Sequence, residues 1–149
     1  MTNPSALHQD LARLAAEART RAYAPYSCFA VGAAVLGQDG RVFTGCNVEN
    51  ASYGLTVCAE RTAIFRAIAE GASRLAALAV SAVPAAWPCG ACRQVLAEFA
   101  DPTCPVIVAE GGRVVAVTTL GELLPQAFSA RGKSADFSAR ALGVPAPRP

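Results

Sequence analysis

Apolar residues recur at two different spacings along the first third of the chain, and these spacings predict one helix and two strands. Residues 5–22 place an apolar stripe at helical spacing: Leu7, Leu11, Leu14 and Ala18. The segment 29–36 alternates as a strand, and Asp39-Gly40 predicts a tight hairpin turn into a second strand over 41–48. We therefore expect a helix followed by two antiparallel strands.

The remainder of the chain continues to alternate between the two patterns. It predicts a helix over 57–71, a buried strand over 74–83 and a helix over 89–100. Two strands over 105–110 and 113–120 and a short helix over 119–128 follow. Gly111-Gly112 favours a hairpin between the last two strands, which should be antiparallel neighbours. The order of elements predicts a three-layer α/β/α fold around a mixed five-stranded sheet. We expect one domain over residues 1–149, with a loose tail over 129–149.

Composition and charge exclude several classes of protein. Of 149 residues, 53% are hydrophobic and 16% are charged, which is not the composition of a disordered chain. No apolar run approaches the roughly 20 residues that a bilayer span requires. The 13 basic and 11 acidic residues are scattered, so no basic stripe indicates nucleic acid. Since the N-terminus shows no secretory signal or lipidation site, we expect a cytoplasmic protein without membrane or nucleic-acid partners. The low charge and the many apolar residues suggest that other subunits cover part of the surface, so we also expect an oligomer.

Six cysteines divide into two groups. Three stand alone beside strand-like sequence: Cys28, Cys46 and Cys104. We interpret these as buried apolar thiols without a function. Cys58 opens the second predicted helix, whereas Cys89 and Cys92 open the third. A domain of this size is stable without disulfides in a reducing compartment, so metal or redox chemistry explains the second group better.

The helix-opening cysteines define a candidate metal centre. If the two helices lie side by side on one sheet face, their N-termini converge, and both helix dipoles lower the thiol pKa values. Structural zinc usually takes four protein ligands, whereas catalytic zinc keeps one position for water. Three thiolates with no evident fourth ligand therefore predict an open zinc site. The single histidine, His8, lies in the first helix, and we interpret it as a surface residue.

Glu60 and Arg61 follow Cys58 directly and suit the same centre. A carboxylate beside zinc-bound water can take its proton and return it to a substrate. Positions two apart on a regular helix point away from each other, so Cys58 and Glu60 must both occupy the helix mouth. Arg61 can offset the negative charge of three thiolates. A helix-dipole role for Glu60 and a solvated position for Arg61 remain open alternatives.

Two other functions fit part of this pattern. Cys89-Gly-Ala-Cys92 resembles the dithiol of thioredoxin-like redox proteins, which also lies where a strand meets a helix. The third cysteine and its glutamate favour the metal centre, because a dithiol oxidoreductase needs neither. A structural zinc knuckle is the second alternative, and it lacks a convincing fourth ligand.

Five motifs, in order from residue 23 to residue 128, resemble the small homotetrameric cytidine deaminases: YAPYSCFAVGAAV, GCNVENASYG, CAERTAIF, PCGACRQVL and ELLPQAF. The resemblance implies that Cys58, Cys89 and Cys92 bind one Zn²⁺ per chain. It also implies hydrolysis of cytidine and deoxycytidine to uridine and deoxyuridine with release of ammonia, in pyrimidine salvage, with Glu60 protonating N3 of the base and then the departing amine. The blasticidin deaminases share the metal motifs, but the NVENASYG loop and the pair Ala127-Phe128 favour cytidine.

The same resemblance assigns the substrate contacts. It implies that Asn47 and Glu49 bind the ribose hydroxyls, that Phe29 packs against the pyrimidine, and that the backbone of Ala59 bonds the base. Three further residues would reach into the site of a neighbouring subunit: Ala51, Tyr53 and Phe128. Two departures stand out, since Cys28 replaces an expected basic or polar residue and the segment beyond Phe128 is longer than expected. Turn formation by Asn47 and Glu49, and a core position for Phe29, are the structural alternatives.

Overall fold

A mixed five-stranded sheet forms the centre of the molecule, a computed structural model that describes residues 4–129. The elements in chain order are α1 (Ala6–Arg19), β1 (Val31–Gly37), β2 (Val42–Cys46), a 3₁₀ turn (Tyr53–Leu55), α2 (Ala59–Ala69), β3 (Leu75–Ala82), α3 (Gly90–Phe99), β4 (Pro105–Glu110), β5 (Arg113–Thr119) and α4 (Leu120–Leu123). Every predicted helix and strand is present at its predicted place; β1 extends one residue beyond the predicted segment, to Gly37, and the 3₁₀ turn was not predicted. The predicted tail lies outside the described residues, apart from Ser129.

The strand order is β2-β1-β3-β4-β5, and the sheet contains both strand directions. β3 and β4 run parallel, with Leu78 opposite Val106, and the other neighbouring pairs are antiparallel. Gly111 and Gly112 have φ angles of 55° and 91°, the left-handed conformation that a tight hairpin between β4 and β5 requires. The predicted mixed sheet with an antiparallel last pair is confirmed.

Helices cover both faces of the sheet, which gives the predicted three layers. On one face α1 buries Leu11 and Ala15 against small side chains such as Ala77. On the other face α2 and α3 bury Ile64 and Leu96 against larger strand residues. Successive residues of a strand point to opposite faces, so the nearly continuous apolar run of β3 serves both layers.

Gly45 in β2 allows α2 to lie very close to the sheet. A Cβ atom at this position would lie 2.5 Å from the backbone nitrogen of Ala63 and 2.8 Å from the carbonyl oxygen of Ala59. Such distances are well below van der Waals contact, so a side chain here would push α2 outward. The position of the first turn of α2, where Cys58 and Glu60 lie, therefore depends on this glycine.

His8 belongs to the N-terminal cap of α1. Ser5 Oγ accepts a hydrogen bond from the backbone N–H of His8 at 3.3 Å, and His8 Nδ1 accepts one from the backbone N–H of Ser5 at 3.3 Å. This reciprocal pair satisfies two donors at the start of the helix. Within residues 4–129, no helix combines the length and apolar character needed to cross a membrane.

The three isolated cysteines do not share one environment. Cys104 is buried, as expected, and burial raises the pKa of its thiol to about 12. Cys46 is half-buried and donates to the Arg21 carbonyl at 3.3 Å. The expectation of a buried thiol is wrong for Cys28, which is exposed and has a φ angle of 55°. Because β1 begins only at Val31, Cys28 belongs to the preceding turn instead of the strand.

Candidate metal centre and active site

The helices α2 and α3 each begin with a cysteine at the N-cap. Cys58 and Cys89 have extended backbones, with ψ angles of 153° and 167°, and neither uses its side chain to cap the helix. Both sulfur atoms are therefore free to point into the space between the two helix mouths. Cys92 is the third residue of α3 and is fully buried. The predicted convergence of the two N-termini is present.

The three sulfur atoms lie at distances that suit one small metal ion. Cys58 Sγ lies 3.9 Å from Cys89 Sγ, and Cys89 Sγ lies 3.5 Å from Cys92 Sγ. All three sulfurs are within 4.8 Å of one another, and among residues 4–129 they form the one such group of potential ligands. Zinc–sulfur bonds of about 2.3 Å in a tetrahedron place sulfurs about 3.8 Å apart, so the donor set fits Zn²⁺.

The electrostatics around the sulfurs favour a thiolate at Cys58 and disfavour a second one at Cys92. Hydrogen bonds from Cys92 and the Arg61 guanidinium lower the pKa of Cys58 to about 5. The hydrogen bond to the Cys58 sulfur and burial raise the pKa of Cys92, because a second thiolate beside the first is unfavourable without a cation. A bound dication removes this penalty, since zinc ligation requires the deprotonated thiol.

Arg61 lies against the metal centre as predicted. Its Nη2 donates to Cys58 Sγ at 3.5 Å and to the Thr56 carbonyl at 3.5 Å. Among the described residues, Arg61 Nε is a buried side-chain nitrogen with no hydrogen-bond partner. A guanidinium with an unused donor fits a site that gains negative charge when all three thiols ionise.

Glu60 is buried at the mouth of α2, beside Cys58. It is the second residue of the helix, and 4% of its surface is exposed. Burial raises the pKa of its carboxyl group, and the charge of the neighbouring Cys58 thiolate raises it further. Cys58 and Glu60 line the same cavity, which satisfies the geometric requirement that the sequence posed. A helix-dipole role alone does not require a buried carboxylate, because dipole partners are stabilising at the surface.

One cavity of about 240 Å³ joins the metal centre to the predicted substrate residues. Its lining includes Phe29, Asn47, Glu49, Cys58, Ala59, Glu60 and Cys89. Sequence reasoning missed its other lining residues: Ser27, Val31, Thr56, Val80, Ala86 and Trp87. Two of these carried a signal, because Ser27 lies in the PYS motif and Trp87 stands directly before Pro88-Cys89.

Asn47 is buried in the cavity wall and holds two neighbouring backbone segments. Its Oδ1 accepts from the Val31 N–H at 2.9 Å, and its Nδ2 donates to the Phe29 carbonyl at 2.8 Å. The side chain therefore has a structural role, but its bonds reach residues 16 and 18 positions away and do not form the turn of the alternative interpretation. One N–H of the amide is not used by these two bonds.

Glu49 accepts hydrogen bonds from the turn that precedes β1. Its Oε1 accepts from the backbone N–H groups of Tyr26 at 2.9 Å and Ser27 at 3.1 Å, and its Oε2 accepts from Ser27 Oγ. The Ser27 hydroxyl bond, followed by the two backbone bonds, lowers the pKa of Glu49. The carboxylate is thus held in its charged form at the edge of the cavity.

Three predicted site residues do not line this cavity, although Tyr53 lines a neighbouring pocket that shares Ser27, Glu49 and Thr56 with it. Ala51 is exposed, and Tyr53 and Phe128 each expose 74% of their surface. Tyr53 packs edge-on against Tyr26, with ring centroids 5.7 Å apart, while the Phe128 carbonyl accepts from Gln94 Nε2 at 2.9 Å. Within one chain the structure therefore does not bring these residues to the metal centre.

Three thiols whose spacing fits Zn²⁺, with a buried carboxylate beside them on a three-layer α/β fold, form a candidate catalytic zinc centre. The family model described as the cytidine and deoxycytidylate deaminase zinc-binding region matches residues 5–108. The chain belongs to this family.

Curated relatives and solved structures agree with that assignment. A cytidine deaminase of Sporosarcina psychrophila is 49% identical over 125 residues, covering 80% of this chain and 92% of the relative. The crystal structure of a cytidine deaminase from Burkholderia pseudomallei matches with a TM-score of 0.76 and 52% identity, covering 86% of this chain and 100% of that one. The cytidine deaminase from Mycobacterium tuberculosis matches with a TM-score of 0.73 and 47% identity, covering 80% and 95%.

Proposed function

We propose that this chain is a zinc-dependent deaminase that converts cytidine and deoxycytidine to uridine and deoxyuridine, with one Zn²⁺ per chain. The observation that carries the proposal is the single cavity that joins the sulfurs of Cys58 and Cys89, the carboxyl group of Glu60 and the polar wall of Asn47 and Glu49. Relatives of known name that cover most of the chain support the same substrate.

The residues of the chain divide the chemistry among them. Cys58, Cys89 and Cys92 would hold the zinc ion, which supplies Lewis acidity and lowers the pKa of water when it is bound. Glu60 moves protons: it takes one from the attacking water and delivers it to N3 of the base, and it later takes the remaining proton from the new C4 hydroxyl and delivers it to the amine on C4. A C4–O bond forms, the C4–N bond breaks, and ammonia leaves. Burial keeps Glu60 away from bulk water during these transfers.

The opposite wall of the cavity would select a nucleoside. Phe29 offers an apolar surface for the pyrimidine ring, and the backbone of Ala59 lies where it can bond the base. Asn47 supplies one unused N–H, and Glu49 supplies a charged acceptor for ribose hydroxyls. The hydrogen bonds of both side chains within the protein keep them fixed before substrate arrives, which reduces the entropy cost of binding.

We further propose that the active enzyme is a homotetramer in which neighbouring chains complete each site. Ala51, Tyr53 and Phe128 are exposed and do not line the cavity of their own chain, so they are available to a neighbour. The whole chain is proposed to form one domain. A cytoplasmic location is proposed as well, since all six cysteines are free thiols.

The direct test is an assay of the purified, zinc-loaded chain with cytidine, deoxycytidine, blasticidin and a cytosine-containing oligonucleotide. We expect ammonia release and loss of cytidine absorbance with the first two substrates only. If the zinc-loaded chain turns over no free nucleoside, the proposal is contradicted. Reduction of insulin disulfides by the metal-free chain, without deamination by the zinc-loaded chain, supports the dithiol alternative.

The shared site is tested by mixing two inactive variants. Glu60→Gln removes the proton carrier and Phe128→Ala removes the residue proposed to reach a neighbour. Mixed tetramers contain some sites with both Glu60 and Phe128, so we expect activity to reappear after the variants are refolded together. Size-exclusion chromatography with light scattering measures the assembly state. Activity in Phe128→Ala equal to that of the unchanged chain contradicts the shared site.

A further inference from the structure

Ser27 connects the two parts of the cavity wall that face the nucleoside. Its hydroxyl donates to Glu49 Oε2, and the same oxygen accepts from the Phe29 backbone N–H at 3.1 Å. The Phe29 N–H therefore fixes the direction in which the Ser27 hydroxyl donates. Cys28 stands between them with a φ angle of 55°, which turns the backbone so that Phe29 N returns to Ser27 Oγ.

The turn uses most of the hydrogen-bonding capacity of Glu49. A carboxylate accepts about four hydrogen bonds, two on each oxygen. Oε1 already accepts from the backbone N–H groups of Tyr26 and Ser27, whereas within residues 4–129 Oε2 accepts from Ser27 Oγ alone. One acceptor position on Oε2 is left, and Ser27 determines its direction.

We infer that Ser27 is a positioning residue that gives the enzyme its selectivity for a ribose hydroxyl, because it orients the last free acceptor position of Glu49. This inference rests on the proposed nucleoside substrate. Asn47 offers one unused N–H in the same wall, so the wall presents one donor and one acceptor. A hydroxyl group both donates and accepts, which makes it the matching substrate group.

Ser27 takes no part in the chemical step and acts on substrate binding alone in this proposal. The Ser27 hydroxyl is shared between Glu49 and Phe29 and not with a sulfur of the metal centre. Loss of this hydroxyl should weaken the binding of nucleosides that carry the recognised hydroxyl, without changing zinc content. The effect should therefore appear in KM and in selectivity, and not in kcat.

The test compares the zinc-loaded full chain with its Ser27→Ala variant on deoxycytidine and on its 3′-deoxy and 5′-deoxy analogues. In the unchanged chain we expect one analogue to be a clearly poorer substrate than deoxycytidine. In Ser27→Ala we expect that discrimination to shrink about tenfold, as for loss of a hydrogen bond to a charged group, with kcat on deoxycytidine within about twofold. Ser27→Thr keeps the hydroxyl and should keep the discrimination.

Three controls make the outcome decisive. Ser73→Ala changes an exposed loop serine and should leave the discrimination between deoxycytidine and the poorer analogue unchanged. Glu49→Ala should also reduce the discrimination between deoxycytidine and the poorer analogue. The double variant Glu49→Ala/Ser27→Ala should reduce this discrimination no further. Three outcomes overturn the inference while deamination itself stands. They are equal discrimination between deoxycytidine and the poorer analogue in Ser27→Ala and the unchanged chain, a loss of zinc in Ser27→Ala, and no discrimination by the unchanged chain. If the unchanged chain deaminates no nucleoside, the proposed function fails and the inference fails with it.

Discussion

The two walls of the cavity are built in different ways. The metal wall consists of helix N-termini: Cys58 and Cys89 occupy the N-cap positions of α2 and α3, and Cys92 and Glu60 lie in the first turns. The nucleoside wall consists of loops and strand ends, which are held by hydrogen bonds between distant parts of the chain. Asn47 bonds the backbone of residues 29 and 31, and Glu49 bonds that of residues 26 and 27.

This difference shows how one fold separates reactivity from selectivity. The metal wall depends on packing of α2 and α3 in the apolar core, where Ala59 and Ala63 are fully buried. The nucleoside wall depends on polar contacts that a change of one side chain can remove without disturbing the core. Changes in the metal wall should therefore abolish the reaction, whereas changes in the nucleoside wall should alter affinity and local stability.

The largest effect is expected from Cys89→Ala. Removal of one of three sulfur ligands should eliminate stoichiometric zinc and all measurable deamination, because the remaining thiols cannot hold the ion. Elemental analysis by mass spectrometry and an ammonia assay check both results. Cys104→Ala is the matched control, since it removes a buried thiol of the same core without touching the metal centre. Full zinc content in Cys89→Ala would contradict the three-sulfur site.

Glu60→Gln should have the next largest effect. The substitution keeps the shape of the side chain but removes its ability to carry a proton, so kcat should fall by about 10²- to 10⁴-fold. Zinc content should remain one ion per chain, because Glu60 is not a ligand in this account. Steady-state kinetics and elemental analysis on the same preparation separate the two properties. Unchanged turnover would exclude the proton-carrying role.

Asn47→Ala should show that the nucleoside wall is also a structural element. It leaves the Val31 N–H and the Phe29 carbonyl without their partner, so the free energy of unfolding should fall by about 1–3 kcal/mol. Urea denaturation measures this change. Asn50→Ala removes an exposed amide that only accepts from the Ser52 N–H, and it should cost much less. Equal losses in the two variants would mean that burial of Asn47 contributes nothing.

Cys28 should give the smallest effect and test the turn itself. Its φ angle of 55° is unfavourable for a β-branched residue, so Cys28→Val should lower the free energy of unfolding by about 1 kcal/mol. Asparagine tolerates this conformation, so Cys28→Asn should be neutral within error. Thermal unfolding of the two variants provides the comparison. A more stable valine variant would contradict the left-handed backbone at this position.

The same difference explains which features the sequence could predict. Helix starts are local, so the amphipathic patterns predicted that Cys58, Cys89 and Cys92 open two helices, and the convergence followed on the condition that these helices lie side by side. The sequence also required Glu60 to share the helix mouth with Cys58, but it did not predict that Glu60 is buried. The hydrophobic pattern of β3 likewise predicted a central strand covered on both faces.

The nucleoside wall could not be predicted in the same way. Ser27 and Glu49 are 22 residues apart, and no periodicity connects a turn before β1 with a loop after β2. The structural bonds of Asn47 depend on the backbone positions of Phe29 and Val31, which a linear pattern does not contain. The exposure of Cys28 was missed for a related reason, since its position next to a strand-like segment does not show whether its side chain faces the core or the solvent.

Zinc-edge X-ray absorption spectroscopy on the purified full chain tests the central claim most directly. The claim is that three cysteine sulfurs hold one zinc ion whose remaining position is not filled by the protein. The account predicts three sulfur scatterers at about 2.3 Å and one oxygen or nitrogen scatterer. Four sulfur scatterers, or fewer than three, would contradict it.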